Sequence, residues 1–235
     1  MGKTVAILQP NYIPWRGYFD LMSRVDEFIL YDDTQYTRRD WRNRNKIIQA
    51  GKIQWLSIPV EARGKYDQLI KDVRIADSAW QKTHLKSLQH AYAKAPFFDD
   101  LWEALSEVYA RKPYSWLLDA DIDFLHFIKA YLGLATKITL SSDYQALGAR
   151  TEKLVALCLA AGASAYVSGP SARSYIETSH FETAGVALSY IAYPRYPDYA
   201  HVSRYDAHVS ILDAMMHCGR DTAEHFQNHA LRSAA

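Results

Sequence analysis

The sequence has little of what would build a disulfide framework or a membrane span. Cys158 and Cys218 are its only two cysteines, which excludes a cysteine-rich secreted scaffold. It has no run of about 18 apolar residues, and the apolar segment Lys3–Leu8 is too short for the core of a signal peptide. We therefore expect a reduced, cytoplasmic protein without a membrane span.

An excess of charge of one sign is also missing. The chain carries 27 basic and 26 acidic residues, which gives a formal charge of +1. Without a global positive field no nucleic-acid partner is expected, and such a role would need a local patch. The nine histidines are scattered and no C-x-x-C pair occurs, so the sequence predicts no metal site and identifies no cofactor.

Glycine and proline are few, at 10 and 8, whereas 49% of the residues are hydrophobic, which is typical of a folded protein of one domain. Strand and helix patterns alternate, so we expect an α/β, Rossmann-like fold with a mostly parallel sheet. The strands are predicted at 3–8, 27–31, 54–60, 137–140, 165–168 and 186–192. Helices are predicted from about 17, at 80–94, 98–110, 115–132, 151–161 and 209–218. Residues 61–79 are predicted to be a polar excursion that contributes little to the core. Residues from about 80 to 133 are predicted to form a helical insertion in a single domain of 1–235.

Aromatic residues are abundant, with 17 Tyr and 6 Trp, and many lie in polar loops, as a stacking site for a sugar or a base would require. The first such loop follows strand 3–8 and precedes a helix, which is how an α/β sheet builds a ligand site. In this loop Gln9, Asn11 and Tyr12 are expected to orient a substrate by hydrogen bonds. Trp15 or Tyr18 is expected to stack on a ring.

The second predicted strand ends in Asp32, Asp33 and Gln35, at the same edge of the sheet as the first loop. Adjacent carboxylates there could bind a cation, a ribose hydroxyl or a sugar hydroxyl, and one of them could act as a general base. The competing interpretation is that one carboxylate caps a turn and the other is solvated.

The segment 38–46 has five basic residues in nine positions, interleaved with aromatic and amide side chains. We expect Arg42 and Arg44 to bind phosphate, with Trp41 and Asn45 beside them, although a solvated loop would look similar. The near-zero net charge favours a phosphate or diphosphate over a long polyanion.

Two later segments supply further candidates. Ser168 ends a strand and opens the turn that leads to Tyr175, where hydroxyl and N–H groups can meet an anion or simply cap a helix. His201 lies close to Asp198 and could be a general base if its loop folds over the site, although a lone histidine is more often structural.

Several blocks resemble the WbqC-like protein family. They are A-I-L-Q-P-N-Y-I-P-W-R-G-Y-F-D, F-I-L-Y-D-D-T-Q-Y, W-R-N-R-N-K-I, W-L-S-I-P-V, A-Y-V-S-G-P-S-A-R-S-Y-I, Y-P-R-Y-P and V-S-I-L-D-A-M-M-H-C-G, in collinear order over nearly the whole chain. The residues that match the family pattern are Gln9, Asn11, Tyr12, Pro14, Gly17, Tyr18, Asp32, Asp33, Gln35, Trp41, Arg44, Asn45, Ser168, Gly169, Tyr175, Tyr196 and Asp213. The resemblance implies a role in bacterial O-antigen or other surface-polysaccharide biosynthesis, on a nucleotide-linked sugar or a precursor.

The opening strand, loop and helix also resemble nucleotidylyltransferase-type folds. Those enzymes place an H-x-G-H motif at the helix start, where this chain has Trp15, Arg16, Gly17 and Tyr18, so the resemblance implies the fold and not the reaction.

The leading hypothesis is a transferase that moves an acyl or aminoacyl group to an amino sugar or similar amine, acting on a phosphate-bearing small molecule. The alternatives are a nucleotide-dependent ligase or nucleotidylyl-type enzyme, and a non-catalytic protein that binds a glycan precursor. A homo-oligomer or a carrier-protein partner is compatible with each of them.

Overall fold

The computed structural model describes residues 2–198 and 206–226, and the backbone of 232–233. Its strands are β1 (Lys3–Leu8), β2 (Glu27–Leu30), β3 (Arg44–Gln49), β4 (Lys52–Ser57), β5 (Lys137–Leu140), β6 (Ala163–Ser168), β7 (Ala187–Tyr190) and β8 (Arg232–Ser233). Its helices are α1 (Arg16–Ser23), α2 (Ala79–Tyr92), α3 (Phe98–Ala110), α4 (Leu117–Tyr131), α5 (Arg150–Ala160), α6 (Thr178–Ala184) and α7 (Ile211–Cys218).

The main sheet has the order β5-β2-β1-β6-β7-β8, with the first five strands parallel and β8 antiparallel to β7. The predicted α/β class with a mostly parallel sheet is therefore confirmed. The chain moves from β1 to β2 on one side, and later crosses from β5 to β6 on the other side of β1. Strands β1 and β6 are thus neighbours at the point where the direction of winding reverses.

Both faces of this sheet are buried, because side chains alternate along each strand and helices cover both sides. Ala6, Phe28 and Leu30 belong to a large apolar cluster that includes α1 and the helices α2, α3 and α4. Val5, Ile7 and Ile29 belong to a second cluster with α5 and α6. Helices α2, α3 and α4 occupy the segment predicted as an insertion. The organisation of the chain as a single domain stays a prediction.

The prediction that 54–60 adds a strand to the parallel sheet is wrong. This segment contributes β4, which pairs antiparallel with β3 in a separate hairpin. Gln49 is opposite Lys52, so only Ala50 and Gly51 form the turn, and both have positive φ (+48° and +71°). Two such residues make a type I′ turn, whose twist matches that of paired strands.

Two further differences concern the segments around the insertion. The segment 61–79 is not without core, because Ile70 and Val73 are fully buried and Ile70–Asp72 forms a 3-10 turn. Helix α6 was not predicted from the sequence. Short 3-10 turns also follow strand β5 at Ser141–Tyr144, strand β6 at Pro170–Ser174 and helix α7 at Gly219–Phe226.

Candidate ligand site at the switch point

The reversal between β1 and β6 defines the place where ligands bind in open α/β sheets, just outside the carboxyl ends of the strands. Strand β1 leads there into the loop 9–15, which we call the first loop. Strand β2 leads into Asp32 and Asp33, and β6 into Ser168 and Gly169. We call the region bordered by these three strand ends the switch-point crevice.

The first loop is held in place by the hairpin. The Tyr12 N–H donates to the Trp41 carbonyl at 3.1 Å, and the Asn45 amide donates to the carbonyls of Tyr12 and Ile13 at 3.2 and 2.9 Å. Ile13 has a φ of +37°, which is costly for a β-branched residue and persists because neighbours fix it. Asn45, predicted to bind substrate, is buried and shapes the loop that would do so.

Two amide side chains of the first loop are available to a ligand. Gln9 and Asn11 are half-buried. The Asn11 Oδ1 accepts a hydrogen bond from Arg42, whose guanidinium also donates to the Asp40 carboxylate at 3.2 Å. The Gln9 side chain and the Asn11 NH₂ form no hydrogen bond with another described residue. Asn11 and Arg42 are therefore in contact at the first loop, and the ligand-binding roles predicted for them and for Gln9 stay predictions.

The predicted stacking or hydrogen-bonding role of Tyr12 and Tyr18 does not fit their positions. Both rings are buried in the core. The Tyr12 hydroxyl is hydrogen-bonded to Tyr109 and, at 2.9 Å, to His84 Nδ1, and the Tyr18 hydroxyl donates to the Gln9 carbonyl at 3.2 Å. Neither ring has a face open to a ligand, so we leave both out of the proposed contacts.

Asp32 forms a fully bonded cap. It is buried, and its carboxylate accepts hydrogen bonds from the Ser141 hydroxyl (2.9 Å), the Ser142 N–H (3.0 Å) and the Ser142 hydroxyl (2.7 Å). These bonds tie the end of β2 to the turn that follows β5. Of the two interpretations of Asp32 made from the sequence, the geometry favours the cap.

Asp33 is half-buried and paired with Lys153 of α5, whose Nζ lies 2.7 Å from its carboxylate. Burial by itself raises the pKa of Asp33, but the Lys153 ammonium and the Ser141 hydroxyl outweigh it and hold the pKa below its usual value. Asp33 is therefore ionised at neutral pH and a weak base. Such a carboxylate suits the binding of a hydroxyl better than proton abstraction.

Trp41, Arg44 and Lys46 of the predicted basic segment cluster with Trp55 of the hairpin, whereas Arg42 and Asn45 are buried. Trp41 is 38% exposed and stacks on Trp55, with ring centroids 5.6 Å apart. The Arg44 guanidinium lies 4.3 Å from the centre of the Trp55 ring, and the Lys46 ammonium 5.6 Å from that of Trp41. We call this group the hairpin patch. It borders the first loop, because the Trp41 carbonyl accepts the Tyr12 N–H.

The remaining predicted residues are dispersed. Ser168 is buried at the end of β6, where its hydroxyl accepts from Tyr166 at 3.2 Å, and Tyr175 is 67% exposed after the next turn. Gln35 is exposed and donates to the Tyr66 carbonyl at 2.7 Å, and Trp15 stacks on His208 with centroids 5.3 Å apart. His201 lies outside the described residues.

Sequence reasoning gave no role to three charged residues that the structure makes prominent. Lys153 reaches Asp33 from α5, which no local pattern indicates. Asp121 and Asp213 are buried on α4 and α7, and burial raises the pKa of Asp213 to about 6. The available signal was an aspartate at a position where the helical period calls for an apolar residue.

A sizeable cleft lies away from the switch-point crevice. A cleft of about 710 Å³ opens at the opposite edge of the sheet, between Asp26, which precedes β2, and Thr136, which precedes β5. Its lining includes Leu132, Leu134 and Phe226 but none of the residues predicted to bind a ligand. Within the described part of the chain, no group of three side chains could hold a metal ion, and no helix is long and apolar enough to cross a membrane.

Comparison with known proteins agrees with the resemblance seen in the sequence blocks. The model of the WbqC-like protein family matches residues 9–225. A Mycobacterium tuberculosis (strain ATCC 25618 / H37Rv) protein described as "Uncharacterized protein Rv1507c" is 40% identical over 226 residues, which cover 96% of this chain and 98% of that protein. No solved structure matches. The chain therefore belongs to the WbqC-like protein family.

Proposed function

We propose that this chain is a cytoplasmic transferase of bacterial surface-glycan biosynthesis. It binds a nucleotide-linked sugar in the switch-point crevice and transfers an acyl or aminoacyl group to an amine of that sugar. The observation that carries the proposal is that neighbouring parallel strands end in polar groups: amide donors of the first loop that make no hydrogen bond to another described residue, the Arg42 guanidinium bonded to Asn11, and the ionised Asp33 carboxylate. The glycan pathway itself is inferred from the resemblance to the family.

The polar groups of the crevice suit a sugar phosphate. Asp33 is a hydrogen-bond acceptor for sugar hydroxyls, and Lys153 keeps it ionised. Gln9 and the Asn11 NH₂ supply donors, and Gln9 supplies an acceptor as well. Arg42 brings positive charge to the first loop, where a phosphate would bind.

The hairpin patch suits the nucleotide base. Two indole rings with an arginine and a lysine above them offer stacking together with positive charge, which is the combination that binds nucleotides. Because the patch is joined to the first loop through the main chain of Trp41, one ligand could contact both.

The reaction requires the amine nitrogen to attack the carbonyl carbon of the acyl donor. The new C–N bond forms, the bond to the leaving group breaks, and the amine proton passes to a base. Asp33, with its lowered pKa, is proposed as the group that positions a sugar hydroxyl during this step. His201 remains the predicted base.

The test is thermal unfolding of the purified protein with UDP, UDP-N-acetylglucosamine, ATP, acetyl-CoA and free amino acids. A ligand at a hundred times its Kd adds roughly 2.7 kcal/mol, which is about 5–11 °C for a chain of this size. A shift with the nucleotide sugar supports the proposal and provides the acceptor for a transfer assay. A shift with ATP alone supports the nucleotide-dependent ligase instead, and no shift across the panel contradicts a free nucleotide-linked substrate.

A further inference from the structure

Helix α4 carries a carboxyl group inside the core. Its buried residues Leu117, Phe124 and Ile128 form the apolar stripe, and Asp121 occupies the same stripe. The side chain of Asp121 is 0% exposed. Neither carboxyl oxygen has a hydrogen-bond partner among the described residues, and no ion pair reaches it there.

Such a group is unfavourable for folding. A buried polar group without a partner costs roughly 1–3 kcal/mol, and a charged one costs more. The burial raises the pKa of Asp121 well above its usual value, so its charged form is disfavoured in the structure. The helix would be more stable with an apolar side chain at this position, which indicates that the carboxyl group has a use other than stability.

The surroundings of α4 place this helix beneath the first loop and next to the turn that is bonded to the end of β2. One turn along the helix, the Phe124 ring packs edge-on against Tyr12 of the first loop, with centroids 5.4 Å apart. Helix α4 also packs against the 3-10 turn Ile70–Asp72. That turn is fastened to the end of β2, because the Lys71 N–H donates to the Asp32 carbonyl at 3.0 Å.

The neighbouring cation is incompletely bonded as well. Arg42 is 8% exposed and uses its two Nη groups on Asn11 and Asp40, while its buried Nε–H has no partner in the described structure. Its charge is close enough to act on the Asp121 carboxyl, yet the two form no ion pair. Besides burial, the charge of Asp121 also raises the pKa of the hydroxyls of Tyr12, Tyr18 and Tyr36.

We propose that Asp121 and the Nε–H of Arg42 form a subsite beneath the first loop for one polar group of the ligand that both donates and accepts a hydrogen bond. A sugar hydroxyl or an N-acyl amide has this chemistry: its O–H or N–H would donate to Asp121, and its oxygen would accept from Arg42. The subsite rests on the proposed function in one respect, that the ligand is a nucleotide-linked sugar. It makes α4 part of the binding site.

The experiment compares Asp121→Ala with the wild type, using Asp119→Asn as a matched control on the exposed face of the same helix. Melting temperatures are measured without ligand, and Kd is measured for UDP and for UDP-N-acetylglucosamine. We expect Asp121→Ala to melt no lower than the wild type. We expect its Kd for the nucleotide sugar to rise roughly tenfold or more, and its Kd for UDP to change less than about twofold. Asp119→Asn should match the wild type throughout.

Asp121→Asn is the conservative variant, because an amide keeps the shape and can still accept a hydrogen bond. It should recover part of the affinity that Asp121→Ala loses. A lower melting temperature in both variants would show that the carboxyl group is structural and would overturn the proposal. So would an equal loss of affinity for UDP and for the nucleotide sugar, and so would unchanged affinity for both, which an ordered water at this position would produce.

Failure of the proposed function can be told apart from failure of the subsite. If UDP and UDP-N-acetylglucosamine do not bind to the wild type, the nucleotide-sugar hypothesis is wrong. Free N-acetylglucosamine at high concentration then probes the subsite alone. Protection of the wild type but not of Asp121→Ala against thermal unfolding supports the subsite, and equal behaviour of the two proteins overturns it.

Discussion

The carboxylates at the end of β2 and the one on α4 differ in how completely they are bonded. At the end of β2, Asp32 accepts three hydrogen bonds from the turn after β5, and Asp33 is paired with Lys153. On α4, Asp121 has no partner among the described residues. A bonded carboxylate stabilises the fold, whereas a buried one without a partner costs stability. The comparison thus separates Asp32 and Asp33, which are bonded within the chain, from Asp121, for which we propose a bond to the ligand.

The comparison would be contradicted if replacing Asp32 left the free energy of unfolding unchanged. Asp32→Ala leaves the Ser142 N–H and hydroxyl without their acceptor, while the Ser141 hydroxyl keeps Asp33, so we expect a loss of about 2 to 3 kcal/mol in the free energy of unfolding. Urea denaturation measures it. Asp143→Ala, in the same turn but exposed, is the control and should change stability by less than about 0.5 kcal/mol. A loss in the control as large as in Asp32→Ala would contradict the cap.

A second bonded network, Tyr12–His84, should respond to acid. Burial lowers the pKa of His84 from 6.5 to about 4, so the unfolded chain takes up the proton first. Its contribution to stability is complete above about pH 6.5 and is lost as the pH falls toward 4, by about 3 kcal/mol in all.

Denaturation from pH 7 to pH 4 tests this loss in the wild type and in His84→Asn, which should have a flatter profile. His126→Asn, exposed on α4, should keep the slope of the wild type. Parallel profiles for the wild type and His84→Asn would show that another group is responsible.

Asp33 tests whether a bonded carboxylate also serves the ligand. Asp33→Asn removes the negative charge that pairs with Lys153, and we expect kcat/KM of the transfer reaction to fall roughly 100-fold, with a loss of stability of about 1 kcal/mol. If the protein only binds its ligand, the change should track affinity and no turnover should be seen in the wild type. An activity that is unaffected by Asp33→Asn would remove Asp33 from the site.

Trp41 tests the contribution of the hairpin patch. Trp41→Ala removes an exposed ring and should raise the Kd for UDP about tenfold without loss of stability. Tyr66→Ala removes a more exposed ring (70%) that lies under Arg38 instead, and should leave the Kd unchanged. Titration calorimetry distinguishes the two, and a matching loss in both variants would indicate a general surface effect.

The smallest effect concerns the pH dependence of Asp121. Its folded pKa is raised, so its favourable contribution is present at low pH and is lost as the pH rises. The melting temperature of Asp121→Ala relative to the wild type should therefore increase between pH 5 and pH 8. A difference that decreases over this range would show that the carboxylate is paired in solution.

Much of the fold could be predicted because its signals are local. Strand β5 and helix α3 have the predicted bounds, since apolar periodicity and flanking breakers fix them within a few residues. The hairpin was missed because its turn is Ala50-Gly51, without the asparagine or aspartate that usually marks such turns.

The site was harder to predict, because the sequence does not show which of its side chains are buried and which are exposed. Asn11 and Arg42 are in contact, but Tyr12 and Tyr18 turn inward, and the pattern of a loop does not tell which rings it buries. Asp121 and Lys153 come from helices that are distant in sequence from the first loop. Whether the oxygens of a buried carboxyl group have partners depends on how the helices pack, which the sequence does not show.

The central place of β1 in the sheet has a consequence for folding. Its first residues pair with β6, so Lys3 lies opposite Ala163, roughly 160 positions further along the chain. The middle of the sheet therefore cannot close during synthesis until most of the polypeptide has left the ribosome, and one edge of β1 stays open until then. We expect refolding of the isolated chain to be slow, and the nascent first strand to be a target for chaperones that shield unpaired edges.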